Sequence, residues 1–221
     1  ICISFIEPAD VMTQDKLIQR VLKPLVWVLC LAPLLDLTGL AYMGEMTANP
    51  IEFLNRYLGE WALKFLLSAL MMTPLKIVTG WAGFTRFRRL LGLFSFFYAV
   101  LHLSSYVGLD QFFNWKDIWT DLIKRTYITV GLGAFIILAV LAATSTKNMI
   151  KKLGGKNWNR LHKWVYVAGF GGCLHFFMMR KGVQAEPLYY AGFLVLLLIY
   201  RWVYYLKKQR QRAGKTAPAA L

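Results

Sequence analysis

The sequence has 221 residues, of which 57% are hydrophobic and 17% are charged, with a mean hydropathy of +0.46 and a formal net charge of +15. Soluble domains usually contain about 45–50% apolar and about 25% charged residues, so this composition excludes a disordered chain or an ordinary soluble domain and indicates a membrane protein. Three cysteines without a CxxC pair exclude a thiolate zinc or iron–sulfur site, and only three histidines are left as metal ligands.

The positive charge is concentrated in separate stretches of the chain. Three of them contain 4, 6 and 6 Lys or Arg and no Asp or Glu: 76–89, 147–163 and 201–215. Three others alternate with these and contain 7 basic and 7 acidic residues in total: 44–64, 110–125 and 180–186. This alternation is typical of a polytopic membrane protein that obeys the positive-inside rule. A nucleic-acid-binding protein would need its basic groups on one soluble face, and this chain offers no soluble domain for it.

Six apolar spans are predicted between these stretches, each close to the ~20 residues that a helix needs to cross a bilayer. They lie at 24–43, 60–80, 90–109, 126–146, 161–179 and 187–206. The predicted fold class is therefore all-α, a polytopic bundle of six transmembrane helices with both termini in the cytoplasm. Lys64, Lys76 and Arg201 lie near the ends of spans, where we expect their long side chains to reach the interface.

The two ends of the chain are predicted to lie outside this bundle. Residues 1–15 form a non-core N-terminal segment without the features of a signal peptide, and Met12 is a candidate initiator within it. Residues 16–206 form the transmembrane domain. Residues 207–221 form a basic cytoplasmic tail that is predicted to be disordered. No GxGxxG or Walker-type loop is present, so no known fingerprint for nucleotide binding is found.

Two histidines lie inside apolar spans, where an imidazole is costly and tends to mark a functional site. His102 lies about 12 residues from the cytoplasmic end of the third span, and His175 about 14 residues from that of the fifth, or roughly 18 and 21 Å deep at 1.5 Å per residue. Two level histidines on two helices are what bis-imidazole ligation of a b-type haem requires. The alternative is two unrelated histidines that are hydrogen-bonded to backbone carbonyls or to nearby serines.

The third histidine, His162, lies at the cytoplasmic start of the fifth span, about 20 Å from His175 along a helix axis. The third span has no second histidine, and Arg88 and Arg89 occupy the corresponding level. An arginine can bind haem propionates, a flavin or a quinone as a charged donor, but it is a poor iron ligand. The sequence therefore predicts one complete haem site and one half-site, with His162 as its candidate ligand. The alternative is an interfacial histidine without a cofactor, and two arginines that merely follow the positive-inside rule.

Two tyrosines lie on the same helical face as His102. Tyr98 and Tyr106 are each four residues away from it, so they are candidates for hydrogen bonds around the haem. Packing in the core is the alternative role for each.

Four segments resemble a known family: KFLLSALMMTPLK (64–76), RRLLGLFSFFYAVLHLSSY (88–106), KRTYITVGLGAFIILAVLAATST (124–146) and NWNRLHKWVYV (157–167). They resemble the MsrQ (YedZ) family, the haem-binding membrane subunits of a bacterial periplasmic methionine sulfoxide reductase system, over about residues 16–206. The chain is more distantly similar to the transmembrane domain of ferric reductases and NADPH oxidases. Those larger relatives have two histidines in each ligand-bearing helix, so Arg88 and Arg89 are a departure from their pattern.

The resemblance implies a b-type haem, an FMN, electron supply from the quinone pool and a periplasmic molybdopterin-containing partner, MsrP. It also implies the bacterial inner membrane as the location. We expect an electron-transfer subunit that takes electrons from membrane quinol or a cytoplasmic flavin reductase, while the partner reduces the substrate. The alternatives are a two-component ferric reductase-like or oxidase-like enzyme, and a haem-free transporter that uses the histidines as a proton relay.

The charge pattern makes a direct prediction about topology. A reporter fused after Lys215 should read as cytoplasmic, and one inserted near Gln111 should read as periplasmic, because the acid-free basic stretches stay in the cytoplasm. Fusions to alkaline phosphatase and to a fluorescent protein measure both positions. The reverse pair of results would place His102 and His175 nearer the cytoplasm and would contradict the depth argument.

Overall fold

The computed structural model describes residues 16–180 and 184–216, and within these ranges the chain is helical and contains no strand. The predicted N-terminal segment 1–15 and residues 217–221 lie outside the described residues. Because the described ranges are helical, the all-α fold class is confirmed. Large apolar side chains such as Val28, Leu35 and Leu196 are more than half exposed on the outer surface, as expected for helices that face lipid.

Eight α-helices follow one another along the described chain. They are α1 (Lys23–Met43), α2 (Pro50–Thr79), α3 (Phe84–Ser105), α4 (Trp115–Lys124), α5 (Thr126–Ala143), α6 (Lys147–Leu161), α7 (Val165–Met179) and α8 (Ala185–Thr216). Short π-helical turns precede α1 and extend α3, at Ile18–Leu22 and Tyr106–Asp110, and a 3₁₀ turn at His162–Trp164 precedes α7.

Five helical segments of the described ranges are long and apolar enough to cross a membrane, namely those that contain α1, α2, α3, α5 and α8. The chain is thus a multi-pass membrane protein. The fifth predicted span corresponds to α7, which has 15 residues and follows the 3₁₀ turn directly. The count of six spans and the cytoplasmic position of both termini remain predictions.

Several boundaries differ from the sequence prediction. Helix α2 begins at Pro50 and not near residue 60, because Asn49 caps it by accepting a hydrogen bond from the Glu52 amide at 3.3 Å and proline suits the first turn. Helices α4 and α6 occupy charged stretches between the predicted spans, for which no helix was predicted. Helix α8 continues to Thr216 and so extends into the stretch 207–221 that was predicted as a basic tail, where Lys, Arg and Gln favour helix.

The helices pack as two closely associated pairs, α2 with α3 and α5 with α7. These pairs are joined by contacts of α3 with α5 and of α2 with α7. One buried cluster joins α1, α2 and α3 around Phe65, Phe94 and Tyr98, and a second joins α2, α7 and α8 around Leu70 and Leu194. The four helices α2, α3, α5 and α7 therefore frame a common interior.

Arg201 makes contacts with two other helices of the bundle. It lies within α8, well before the end of that helix, and donates hydrogen bonds to the Tyr166 hydroxyl and the Leu70 carbonyl. The Leu70 carbonyl lacks its usual partner four residues on, because Pro74 has no amide hydrogen. The guanidinium group therefore satisfies a backbone acceptor that the proline leaves free within the helical bundle.

This arrangement predicts that Arg201→Leu will destabilise the protein by about 1–3 kcal/mol, since it leaves buried acceptors unpaired. The thermal midpoint in detergent measures the loss, and Arg210→Leu, at an exposed position of the same helix, is the control. In a Pro74→Ala background the same change should cost less, because the introduced alanine supplies the missing amide. An equal cost in both backgrounds would show that the Leu70 carbonyl is not the group that matters.

Candidate haem site

The structure brings His102 on α3 and His175 on α7 into one interior space. The centres of the two imidazole rings are 6.1 Å apart, and the ring planes make an angle of 73°. A metal bound at about 2.0–2.1 Å by one nitrogen of each ring would separate the ring centres by about 6 Å. The spacing therefore fits one iron atom between the two histidines.

Each histidine is fixed by a hydrogen bond from its Nδ1 to a backbone carbonyl of a neighbouring helix. His102 Nδ1 lies 2.9 Å from the Asn55 oxygen on α2, and His175 Nδ1 lies 2.7 Å from the Tyr127 oxygen on α5. A carbonyl only accepts, so Nδ1 carries the proton of a neutral ring and Nε2 keeps the lone pair that a metal needs. The sequence left open whether these histidines bind a metal or only form hydrogen bonds to carbonyls. The hydrogen bonds are present, and the ring separation also permits both histidines to bind one metal.

A cavity of about 700 Å³ surrounds the pair and is lined by both histidines. This volume lies within the roughly 300–1,000 Å³ that is usual for cofactor and ligand sites. Its walls are mainly apolar, with Leu66, Phe135 and Leu138 among the lining residues. A flat, largely apolar macrocycle suits such a space, because apolar side chains form much of the wall and each histidine keeps Nε2 available as a nitrogen ligand.

Three arginines that were not predicted as site residues line this cavity: Arg56, Arg125 and Arg180. Arg180 lies 2.5 Å from a Glu186 oxygen and 3.9 Å from a Glu60 oxygen, and its Nε is buried without a partner among the described residues. Guanidinium groups at this position could bind the carboxylates of a haem. The charge pattern gave no signal for them because they belong to stretches in which acids balance the basic residues.

The two tyrosines near His102 have different roles. Tyr98 is fully buried and donates its hydroxyl to the Cys30 carbonyl at 2.8 Å, so it joins α3 to α1 within the core. Tyr106 lines the large cavity and donates to an Asp121 carboxylate oxygen at 3.1 Å. Of the two, Tyr106 is therefore the one placed beside the candidate haem.

A second, smaller cavity of about 280 Å³ is lined by Arg88, Arg89, His162 and Trp158. The His162 ring stacks on Trp158, with 3.9 Å between the ring centres, and its Nε2 lies 3.3 Å from the Thr144 hydroxyl oxygen. The structure thus brings together the three residues of the predicted half-site. Stacking and the threonine contact hold the imidazole, and the arginines add charged donors to the same space.

Comparisons with known proteins identify the family of this chain. A family model described as "Ferric reductase like transmembrane component" matches residues 58–173, which include His102 and His162 and end two residues before His175. The chain is 50% identical over 185 residues to the "Protein-methionine-sulfoxide reductase heme-binding subunit MsrQ" of Rhodospirillum rubrum, which covers 84% of this chain and 89% of that protein. It is 39% identical over 213 residues to the protein of the same name from Caulobacter vibrioides, which covers 96% and 99%.

A third relative carries the same kind of domain within a longer chain. "Magnetosome protein MamZ" of Magnetospirillum gryphiswaldense is 42% identical over 186 residues, which are 81% of this chain but 29% of that protein. The matches to the two shorter relatives cover most of both chains at 50% and 39% identity, which is enough to assign the family. The chain belongs to the MsrQ family of haem-binding membrane subunits, with a transmembrane domain of the ferric reductase type.

Proposed function

We propose that this protein is a b-type cytochrome of the bacterial inner membrane that passes electrons to a periplasmic molybdopterin-containing methionine sulfoxide reductase, MsrP. Reduction of the substrate takes place in that partner, and this chain does no covalent chemistry on it. The observation that carries the proposal is the 6.1 Å separation of the His102 and His175 rings within an apolar cavity. The names of the family's members support the link to methionine sulfoxide.

The two histidines are proposed as the axial ligands of the haem. A bound haem supplies one-electron redox chemistry at this position. The Asn55 and Tyr127 carbonyls hold each ring in one tautomer, so that Nε2 of both rings stays available. Apolar side chains such as Leu66, Phe135 and Leu138 form part of the cavity wall and would pack against a bound haem.

The outer end of the large cavity is the proposed exit for electrons. Arg125 and Arg180 line it close to the ends of α4 and α7, next to chain segments that the charge pattern assigns to the periplasm. Arg180 has a buried Nε without a partner among the described residues, which makes it the best candidate for binding a haem carboxylate. Arg125 and Arg180 would hold the carboxylates of a bound haem at this end of the cavity, next to the proposed periplasmic side.

The small cavity is the proposed place where electrons enter from the cytoplasmic side. Its volume of about 280 Å³ lies just below the usual range for cofactor sites, so it suits a single-ring quinol head group better than a second haem or an FMN. Arg88 and Arg89 would donate to the head-group oxygens, with His162 beside them. A cytoplasmic flavin reductase remains the alternative donor and would carry the flavin itself.

A second candidate function follows from the ferric reductase family match. The same transmembrane domain could deliver electrons from a cytoplasmic flavoprotein to ferric iron or oxygen outside the membrane. Haem oxidation by a methionine sulfoxide reductase, by a ferric chelate and by oxygen in parallel stopped-flow experiments distinguishes these acceptors. A haem-free transporter would show no Soret band at all.

The ligand assignment predicts the spectra of single variants. His102→Ala or His175→Ala should abolish the low-spin bis-imidazole spectrum or convert it to a high-spin one, because either change removes one axial nitrogen. His162→Ala, the matched control, should leave that spectrum largely intact. Visible absorption and electron paramagnetic resonance of the purified proteins measure both. An unchanged low-spin haem in both of the first two variants would refute the assignment.

The half-site makes a separate prediction about electron entry. Arg88→Lys, Arg89→Lys and His162→Ala should each slow haem reduction by quinol roughly three- to tenfold. Lysine keeps the charge but loses the bidentate donor, and His162→Ala removes the imidazole that lies beside the arginines. Bound quinone, bound flavin, total haem and the reduction rate are measured together. Lys151→Ala, an exposed change on α6, is the control. If all three variants match the parent protein in every assay, the cytoplasmic half-site does not exist.

A further inference from the structure

Two glycines lie directly against the two histidines of the large cavity. Gly59 on α2 faces His102, and Gly131 on α5 faces His175. A Cβ atom at Gly131 would lie 2.7 Å from Nδ1 and 3.0 Å from Cε1 of the His175 ring, and one at Gly59 would lie 3.1 Å from the same two atoms of His102. The contact with His175 Nδ1 is shorter than real Cβ contacts, and the contacts with His102 are tighter than most of them.

The position of each glycine explains these contacts. The carbonyls that accept from the two rings belong to Asn55 and Tyr127, and each glycine lies four residues further along the same helix. Residues four apart lie one above the other on one face of a helix. A side chain at the fourth residue would therefore occupy the space through which the imidazole approaches the carbonyl. The arrangement occurs twice, on two separate helix pairs.

We propose that Gly59 and Gly131 are positioning residues, which set the axial ligands by leaving room for each imidazole to lie against a helix and donate Nδ1–H to a backbone carbonyl. The inference rests on the proposed function, in which His102 and His175 bind the haem iron. Donation from Nδ1 makes a metal-bound imidazole more basic. A stronger donor stabilises ferric iron, so both glycines lower the reduction potential of the haem.

The two sides are not equally tight. The His175 hydrogen bond is the shorter one, at 2.7 Å against 2.9 Å, and the space at Gly131 is the narrower one. We therefore expect the His175 ligand to depend more strongly on its glycine than the His102 ligand does. Helix propensity works in the opposite direction, because alanine favours helix over glycine, so a loss at these sites cannot arise from weaker helices.

The test compares alanine variants of purified protein by haem content, electron paramagnetic resonance and redox titration. Gly131→Ala should lose low-spin haem roughly tenfold or shift its potential upwards, and Gly59→Ala should show a smaller effect in the same direction. Gly133→Ala is the matched control, since it lies two residues away on α5 and a Cβ there meets nothing within 4 Å. Low-spin signals and potentials in Gly131→Ala that equal those of Gly133→Ala would overturn the proposal.

A second experiment tests the hydrogen bond without relying on a stable Gly131 variant. In His175→Gly protein, added imidazole should restore the low-spin spectrum by occupying the vacated position and donating to the Tyr127 carbonyl. 1-Methylimidazole has no N–H to donate and should bind roughly three- to tenfold more weakly. Equal affinity of the two ligands would contradict the role of the carbonyl.

The same series separates the inference from the proposed function. If His175→Gly keeps its low-spin haem without added imidazole, His175 is not a ligand and the proposed haem site is wrong. If His175→Gly loses that haem while Gly131→Ala keeps the parent spectrum and potential, the ligand assignment stands and only the role of the glycines fails.

Discussion

An imidazole inside a membrane must find a hydrogen-bond partner, and this constraint organises the centre of the protein. His102 and His175 both meet it with a backbone carbonyl of the neighbouring helix, at 2.9 and 2.7 Å. These bonds turn the second nitrogen of each ring away from the backbone and leave it without a proton. The close pairing of α2 with α3 and of α5 with α7 brings each ring to its carbonyl, and the cavity between the pairs suits the haem-binding character of the family.

A side chain also donates a hydrogen bond to a backbone carbonyl of another helix away from the haem site. Pro74 leaves the Leu70 carbonyl without an amide partner, and Arg201 reaches it from α8 while also binding the Tyr166 hydroxyl. A charged side chain thus joins three helices in the interior of the bundle. Lipid tails are as apolar as the side chains of the helices, so apolar contacts alone do not determine which helices associate. Hydrogen bonds to carbonyls help to determine it.

The sequence predicted those features that depend only on the order and spacing of residues along the chain. Apolar length and the alternation of basic stretches identify a polytopic helical protein, and counting residues from the span ends already placed His102 and His175 at similar depth. The role of Arg201 could not be predicted because its partners, Tyr166 and the Leu70 carbonyl, lie far away in the chain.

Other elements had weaker signals or none at all. The amphipathic helix α4 has balanced charges and only 10 residues, so it resembled a loop, although Asn114 caps it as a helix start requires. The role of Gly59 and Gly131 could not be predicted from neighbouring residues, because each glycine lies against a histidine ring on another helix.

The central claim is that His102 and His175 bind the same iron atom. Only three histidines are present, so the His162→Ala protein retains just these two. Labelling its histidines with ¹⁵N and recording the nitrogen hyperfine couplings of the low-spin ferric haem counts the ligands directly. If both rings bind the iron, two histidine nitrogens couple to each ferric centre. One histidine nitrogen, or none, would show that the two rings do not share an iron.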